Sequence, residues 1–398
     1  MFRSNFVAVS IPLFTLFLIF FINTGAHSQF DEFYPLLEPD NNVTYYVYPR
    51  ADAMGGCAIN LVDEQSGFVN PASLGFFHMN RNLSFFISDY VKNDIAEIER
   101  IDDDLKFRSL GFSGGINFHK HVRNSNKVYT YCISAGYYDN KLDFGWMLFS
   151  NFDGEDTWRV KWIDRTKSYS VSMAADVGIR IGLGYNFTKY NRAETTEDNP
   201  EYDLLKTDGH SLGLLVELPI FDIWWNQPDI ASAARFKYSL TPSFAYVTST
   251  IDEDEFFGYY LPDVKQIGFS IYFDMKTSKM ILFSIRPSYL FQKPSYNLPH
   301  ETLQEIEWID KYGVEIGALG VGYFRIGKWE SKEKSPGSIG FGISLTELKN
   351  FMLKNRKIHT RYGFINTITN NLNLTIDYAK AYGTNFGETG QLVLRMSI

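Results

Sequence analysis

The sequence predicts an all-β protein: a transmembrane antiparallel β-barrel of about 14 strands with an N-terminal hatch, or plug, closing its periplasmic end. Three observations predict it. The chain opens with an export signal; many later segments alternate apolar and polar residues with a period of two; and none of those segments is long and apolar enough to cross a bilayer as a helix. Composition agrees, with 25 Tyr and 34 Phe in 398 residues against a mean hydropathy of only −0.19. Such a mixture is expected when one face of each strand meets lipid and the other a wet lumen.

The export signal comes first. Arg3 precedes an apolar run from Phe6 to Ile22, after which Asn23 to His27 turn polar and Ala26-His27-Ser28 offers small residues two apart. Cleavage is expected after Ser28, leaving Gln29 as the first mature residue. A retained anchor is disfavoured because the run sits at the short end of what spans a bilayer, and Cys57 is too distant to carry a lipoprotein anchor. The expected organisation is a signal peptide at 1–28, a periplasmic segment and plug at 29–80, and a barrel at 81–398 in the cell outer membrane.

The strands follow. Ile179, Ile181, Leu183, Tyr185 and Phe187 share one face, with Arg180, Gly182, Gly184, Asn186 and Thr188 on the other. From Phe236 to Tyr246 the same alternation recurs, and an amphipathic helix cannot produce it. Strands are expected near 81–90, 108–120, 127–138, 157–173, 177–189, 209–219, 234–248, 264–275, 279–292, 311–326, 336–346, 356–367, 371–381 and 389–398, an even number as bacterial barrels require. Phe144 to Ser150 is a candidate extra strand. Long polar connections after the first, third, fifth, seventh and ninth strands and short ones after the second, fourth, eighth and twelfth fit the outside and periplasmic ends; the rhythm fails at Ile220 to Ala234, where Trp224 and Trp225 are candidates for an interfacial girdle. Tyr137, Tyr138, Tyr185, Tyr190, Tyr259, Tyr260 and Tyr289 are expected to anchor at the interface.

Between signal and barrel lie about fifty residues that do not alternate. They include Pro49-Arg50-Ala51-Asp52-Ala53-Met54-Gly55-Gly56-Cys57 and, further on, Asp63 and Asn70-Pro71-Ala72-Ser73-Leu74-Gly75. Small residues permit close packing in a narrow lumen, and Asn70-Pro71 can redirect the chain. This segment resembles the superfamily of FadL-type long-chain fatty-acid transporters and the PorV and PorQ proteins of type IX secretion. The resemblance rests on Arg50, Ala51, Met54, Gly55, Gly56, Asp63, Asn70, Pro71 and Ala72. Cys57 stands where that family usually has Ala, and Ser73-Leu74-Gly75 replaces Gly-Leu-Ala. The resemblance implies a plugged barrel that passes hydrophobic molecules or acts in secretion.

Candidate chemistry is sparse. Gly55-Gly56 lacks the Gly-Lys-Ser/Thr continuation of a phosphate loop, so tight packing is the expected role. His119 and His121 share a strand face and could hold a metal weakly, with a solvated strand end the favoured alternative. No nucleophile stands beside a base in sequence, so no enzyme and no cofactor is expected. Arg180, Glu217, Lys237, Arg286, Arg325, Asp377 and Arg395 fall on the polar faces and are expected in the lumen, since Arg or Lys facing lipid costs about 2 to 4 kcal/mol near the midplane. They would pair with one another and with the plug, or form a polar track for a carboxylate headgroup. Cys57 and Cys132 are paired or free. Two acidic segments, Asp94 to Asp104 and Asn191 to Asp208, read as external loops that could dock a partner. The net charge of −8 argues against nucleic acid; outer-membrane lipid, hydrophobic small molecules and secreted proteins are the expected partners.

Overall fold

In the computed structural model the chain forms a closed barrel of fourteen antiparallel strands around a short helical plug. The structure describes residues 48–91, 106–121, 128–150, 157–196, 202–220, 236–252, 263–277, 280–295, 309–330, 337–348, 373–384 and 387–397. The plug carries helices α1 (Pro49–Asp52), α2 (Ser66–Val69) and α3 (Pro71–His78). The wall is β1 (Leu83–Val91), β2 (Lys106–His121), β3 (Val128–Ser150), β4 (Thr157–Asp176), β5 (Arg180–Thr196), β6 (Tyr202–Glu217) and β7 (Lys237–Ile251). It continues with β8 (Asp263–Lys276), β9 (Ile281–Ser295), β10 (Ile309–Ala318), β11 (Gly322–Glu330), β12 (Gly337–Ser344), β13 (Asn373–Thr384) and β14 (Gly387–Ser397).

Every strand pairs with its sequence neighbours, and β14 returns to pair with β1, setting Ser397 opposite Ser84. Closure leaves no edge, so backbone N–H and C=O groups are satisfied without water. The side chains are inverted relative to a soluble domain. Phe112 and Ile116 on β2, Met173 on β4, Leu183 on β5, Leu212 on β6, Phe269 on β8, Ile326 on β11, Phe341 on β12 and Leu392 on β14 are exposed. Ser134, Ser168, Ser172, Asn186, Gln266, Gln292 and Arg325 are buried. An apolar belt that runs round a closed barrel is stable only in hydrocarbon, so the wall spans a membrane. None of the described helices is long and apolar enough to do so.

The start of β1, the end of β14 and three of the four shortest connections, β4–β5, β8–β9 and β10–β11, lie at one end of the barrel together with the longer β6–β7 and β12–β13 connections, while the short β13–β14 connection lies at the other; the majority of short turns makes the first end periplasmic.

Strand positions depart from expectation in instructive places. The single strand expected at 311–326 is two, β10 and β11, joined by a tight turn in which Leu319 and Gly320 take φ of +57° and +66°. Ala318-Leu319-Gly320-Val321 is apolar throughout, so the turn carries no polar signal. Phe144 to Ser150 is the continuation of β3 rather than an extra strand. Much of the acidic segment Asn191 to Asp208 is wall, because β5 reaches Thr196 and β6 begins at Tyr202. Tyr138 is no interfacial anchor: it is fully buried and stacks on Phe86 at 6.0 Å while meeting plug residue Phe68 at 5.9 Å. The signal peptide, Trp224, Trp225, Tyr259, Tyr260, the acidic residues from Asp94 to Asp104 and the strand expected at 356–367 lie outside the described residues; β12 pairs directly with β13.

Candidate functional site

The plug begins with a tight turn that only glycine permits. Pro49 occupies the first turn of α1, where its missing N–H costs nothing. The helix ends at Asp52, and the turn that follows it carries Gly55 and Gly56, with φ of +66° and +81°. A Cβ on Gly55 would also lie 2.4 Å from the Lys328 carbonyl oxygen of β11. The wall reciprocates, for a Cβ on Gly313 or Gly327 would meet the backbone of Met54 at 2.3 and 2.1 Å. The Met54-Gly55-Gly56 run is thus a backbone surface laid against β10 and β11, and the Gly55 N–H donates to Ser338 Oγ of β12 at 3.0 Å.

Asn70-Pro71-Ala72 performs a second seating. Asn70 Oδ1 accepts the Ala72 N–H at 3.0 Å and caps α3, while its Nδ2 donates to the Ile59 carbonyl at 2.8 Å. Pro71 holds the first helical position. The helix packs across β2 to β6, so close that a Cβ on Gly184 would lie 2.2 Å from Pro71 C and one on Gly213 2.2 Å from Asn70 Oδ1. At its far end His78 is buried, with Nε2 at 2.8 Å from Ser113 Oγ and Nδ1 at 3.0 Å from the Arg81 carbonyl. This places a hydroxyl beside an imidazole, which the sequence did not indicate. Ser113 and His78 are nevertheless almost wholly inaccessible, and a backbone carbonyl stands where a catalytic triad has a carboxylate; the pair links plug to wall.

Between the two seats lies a closed ring of buried charge. Arg50 of the plug grips Glu315 of β10 through two bonds, Nε to Oε2 at 2.8 Å and Nη2 to Oε1 at 2.7 Å. Arg325 of β11 donates to Glu315 Oε2 at 2.7 Å and to Asp377 Oδ1 of β13 at 2.6 Å. Arg395 of β14 bonds Asp377 and pairs with plug residue Asp63 at 2.9 Å. Asp63 closes the circuit on Arg50 at 3.1 Å. Three arginines and three carboxylates alternate, so each charge has an opposite neighbour on both sides, the condition under which buried ions are tolerated.

Asp63 is saturated. Its Oδ1 also accepts from Tyr48 OH at 2.7 Å and from the N–H groups of Gln65 and Ser66 at 3.0 and 3.1 Å. Burial would push this plug carboxyl up, but Arg395 and Arg50 outweigh it and hold Asp63 below the usual range. Glu64 beside it meets Arg395 Nη1 at 3.3 Å, and there burial prevails and pushes the carboxyl up.

The remaining sequence candidates fall elsewhere. Arg180 bonds Asp176 at 3.0 Å and Glu217 at 3.2 Å near the periplasmic rim. Lys237 begins β7 at the same rim, opposite Lys276. Arg286 sits on β9 directly opposite Glu315, its guanidinium 4.8 Å from the Tyr272 ring. Its Nε and Nη1 are buried with no hydrogen-bond partner among the described residues. Cys57 and Cys132 are free and buried. His119 Nδ1 lies 3.2 Å from Thr130 Oγ1. Sequence reasoning missed Glu315, Tyr48 and Glu64. Glu315 stands directly opposite Arg325, and finding the hairpin turn would have revealed the pair.

No protein-family model matches the chain, and no curated protein matches it. Solved structures are similar at low identity. The Pseudomonas putida toluene transporter TodX is 9% identical, over 87% of this chain and 96% of that one, with a TM-score of 0.42. The CymD monoaromatic hydrocarbon channel is 10% identical, over 88% and 96%, with a TM-score of 0.40. The transport unit of the Escherichia coli autotransporter AIDA-I is 13% identical, over 79% and 88%, with a TM-score of 0.36. This 14-strand barrel resembles bacterial outer-membrane proteins. No functional statement follows from likenesses this distant.

Proposed function

We propose that the protein is a plugged outer-membrane channel for hydrophobic molecules of the long-chain fatty-acid kind, with the plug as its gate. The observation that carries this reading is Arg286. A guanidinium in the lumen, stacked on Tyr272 with two nitrogens lacking a bond among the described residues, is costly unless something else satisfies it. A carboxylate headgroup would do so, with its alkyl tail on the aromatic side. The plug bars free diffusion, so passage requires displacement at one of its seats.

The test is uptake of labelled long-chain fatty acid by proteoliposomes. The wild-type barrel should give protein-dependent uptake, and Arg286→Gln should slow it several-fold at low substrate while leaving a neutral hydrocarbon less affected. Absence of protein-dependent uptake of either compound rejects the channel.

A second reading has its own observation. Lifting the plug out of the charge ring would take Arg50 from Glu315 and Asp63 and Glu64 from Arg395, leaving each with one ring partner on the wall, which favours a permanently seated plug and a non-transporting secretion or surface-attachment subunit. Pull-down from native membranes would then recover secreted cargo or secretion-machine subunits.

A further inference from the structure

We propose that the outer face of β4 to β6, at the end of the barrel away from the chain termini, binds the phosphorylated headgroup of an outer-leaflet glycolipid.

The argument begins with the register. Outward positions of β4, read from the periplasmic end, run Met173, Val171, Tyr169, Lys167, Arg165; those of β5 run Ile181, Leu183, Tyr185, Phe187, Lys189, Asn191; those of β6 run Leu214, Leu212, His210, Asp208, Lys206. Each strand thus passes from aliphatic to aromatic to charged at the same level. The aromatic level is continuous: Tyr137 meets Tyr169 at 5.3 Å, Tyr169 meets Phe187 at 6.3 Å, and Phe187 meets His210 at 5.4 Å. Such a belt marks the boundary between acyl chains and headgroups. The cations stand just beyond it, with Lys189 Nζ 5.6 Å from the Phe187 ring centroid.

At that level the wall carries a concavity of about 620 Å3 lined by Arg165, Lys167, Lys189, Asn191, Lys206 and Asp208, among others. Two features make it a site for an anion. Lys167 lies directly opposite Lys189, and like charges in that relation are destabilising unless something between them compensates. Asp139 and Asp208 flank the pair, opposite Lys167 and Lys189 respectively. The row beyond it reads Lys141, Arg165, Asn191, Lys206, and Asp252 is the other carboxylate on the concavity. On the concavity itself Arg165, Lys167, Lys189 and Lys206 outnumber Asp208 and Asp252 four to two, on a chain whose net charge is −8. Lipid at this depth in the outer leaflet presents phosphate to the concavity and acyl chains to Val171, Leu183 and Leu212 below it. The wall therefore offers both halves of an amphiphile's contact.

The experiment is native mass spectrometry of the detergent-purified barrel incubated with phosphorylated lipid A, with dephosphorylated lipid A, and with lipid A plus excess inorganic phosphate. The wild-type protein should retain the phosphorylated lipid at least tenfold better than the dephosphorylated one. The triple variant Lys167→Gln, Lys189→Gln, Lys206→Gln should lose that preference, whereas Lys120→Gln, an exposed lysine near the opposite end of β2, should keep it. A triple variant that no longer shows a heat-modifiable band is replaced by Lys189→Gln alone, for which a loss of at least threefold is expected. Equal retention of both lipids, an unaltered triple or single variant, or displacement by millimolar inorganic phosphate overturns the proposal.

Discussion

On the β10 to β14 side the plug is held by charge added to the glycine packing of Met54 and Gly55, and on the β2 to β6 side by glycine packing with neutral hydrogen bonds alone. Arg50 and Asp63 join Glu315, Arg325, Asp377 and Arg395 in one alternating circuit, while α3 rests its backbone on Gly184 and Gly213 with no ion pair between them. The two seats teach different things. An ion circuit admits a single arrangement, because any displacement brings like charges together or leaves one buried alone. Glycine packing sets a distance but not an orientation, and the hydrogen bonds of Asn70 and His78 supply the latter locally.

Substitutions can break the contrast, beginning with the largest effect. Glu315→Ala leaves Arg50 and Arg325 without their shared carboxylate, and removal of one partner from a buried pair costs about 3 to 5 kcal/mol. Urea unfolding in lipid vesicles should show that loss, and limited proteolysis should cut the released N-terminal segment. Gly213→Ala drives a methyl into Asn70 and Pro71, with an expected cost of about 1 to 3 kcal/mol and release of α3 while the ring stays closed. Asn70→Ala removes a cap worth about 1 kcal/mol; the same unfolding assay should register a small shift and no new proteolytic site. Combining Glu315→Ala with Gly213→Ala sharpens the comparison. Independent seats give additive losses, and a shortfall from additivity would show that the plug comes away as one piece.

The wall was more legible than its contents. Period-two alternation declares which residues face lipid, because hydrocarbon penalises every error, and the outward series from Ile181 to Phe187 is plain in the sequence. The turn at Leu319-Gly320 was hidden because its neighbours are as apolar as the strands it joins. The segment 311–326 consequently supplies two of the fourteen wall strands where one was expected. The plug motif was recognisable, yet its physical content was not: Gly55 has no room for a Cβ because of the Lys328 backbone, more than 270 positions away. Arg325, Asp377 and Arg395 could be placed on the lumen side by parity, whereas their pairing with one another, and with Asp63, depends on barrel closure that no local pattern encodes.

Arg395 belongs to the strand that completes the wall, and it touches the part of the described chain that comes first. The seam between β14 and β1 and the tether from Arg395 to Asp63 and Glu64 must accordingly form together. One strand thus serves both as the closure of the cylinder and as an anchor of the hatch. A polypeptide halted ahead of Gly387 would lack both fasteners at once and present a loose hatch to periplasmic proteases.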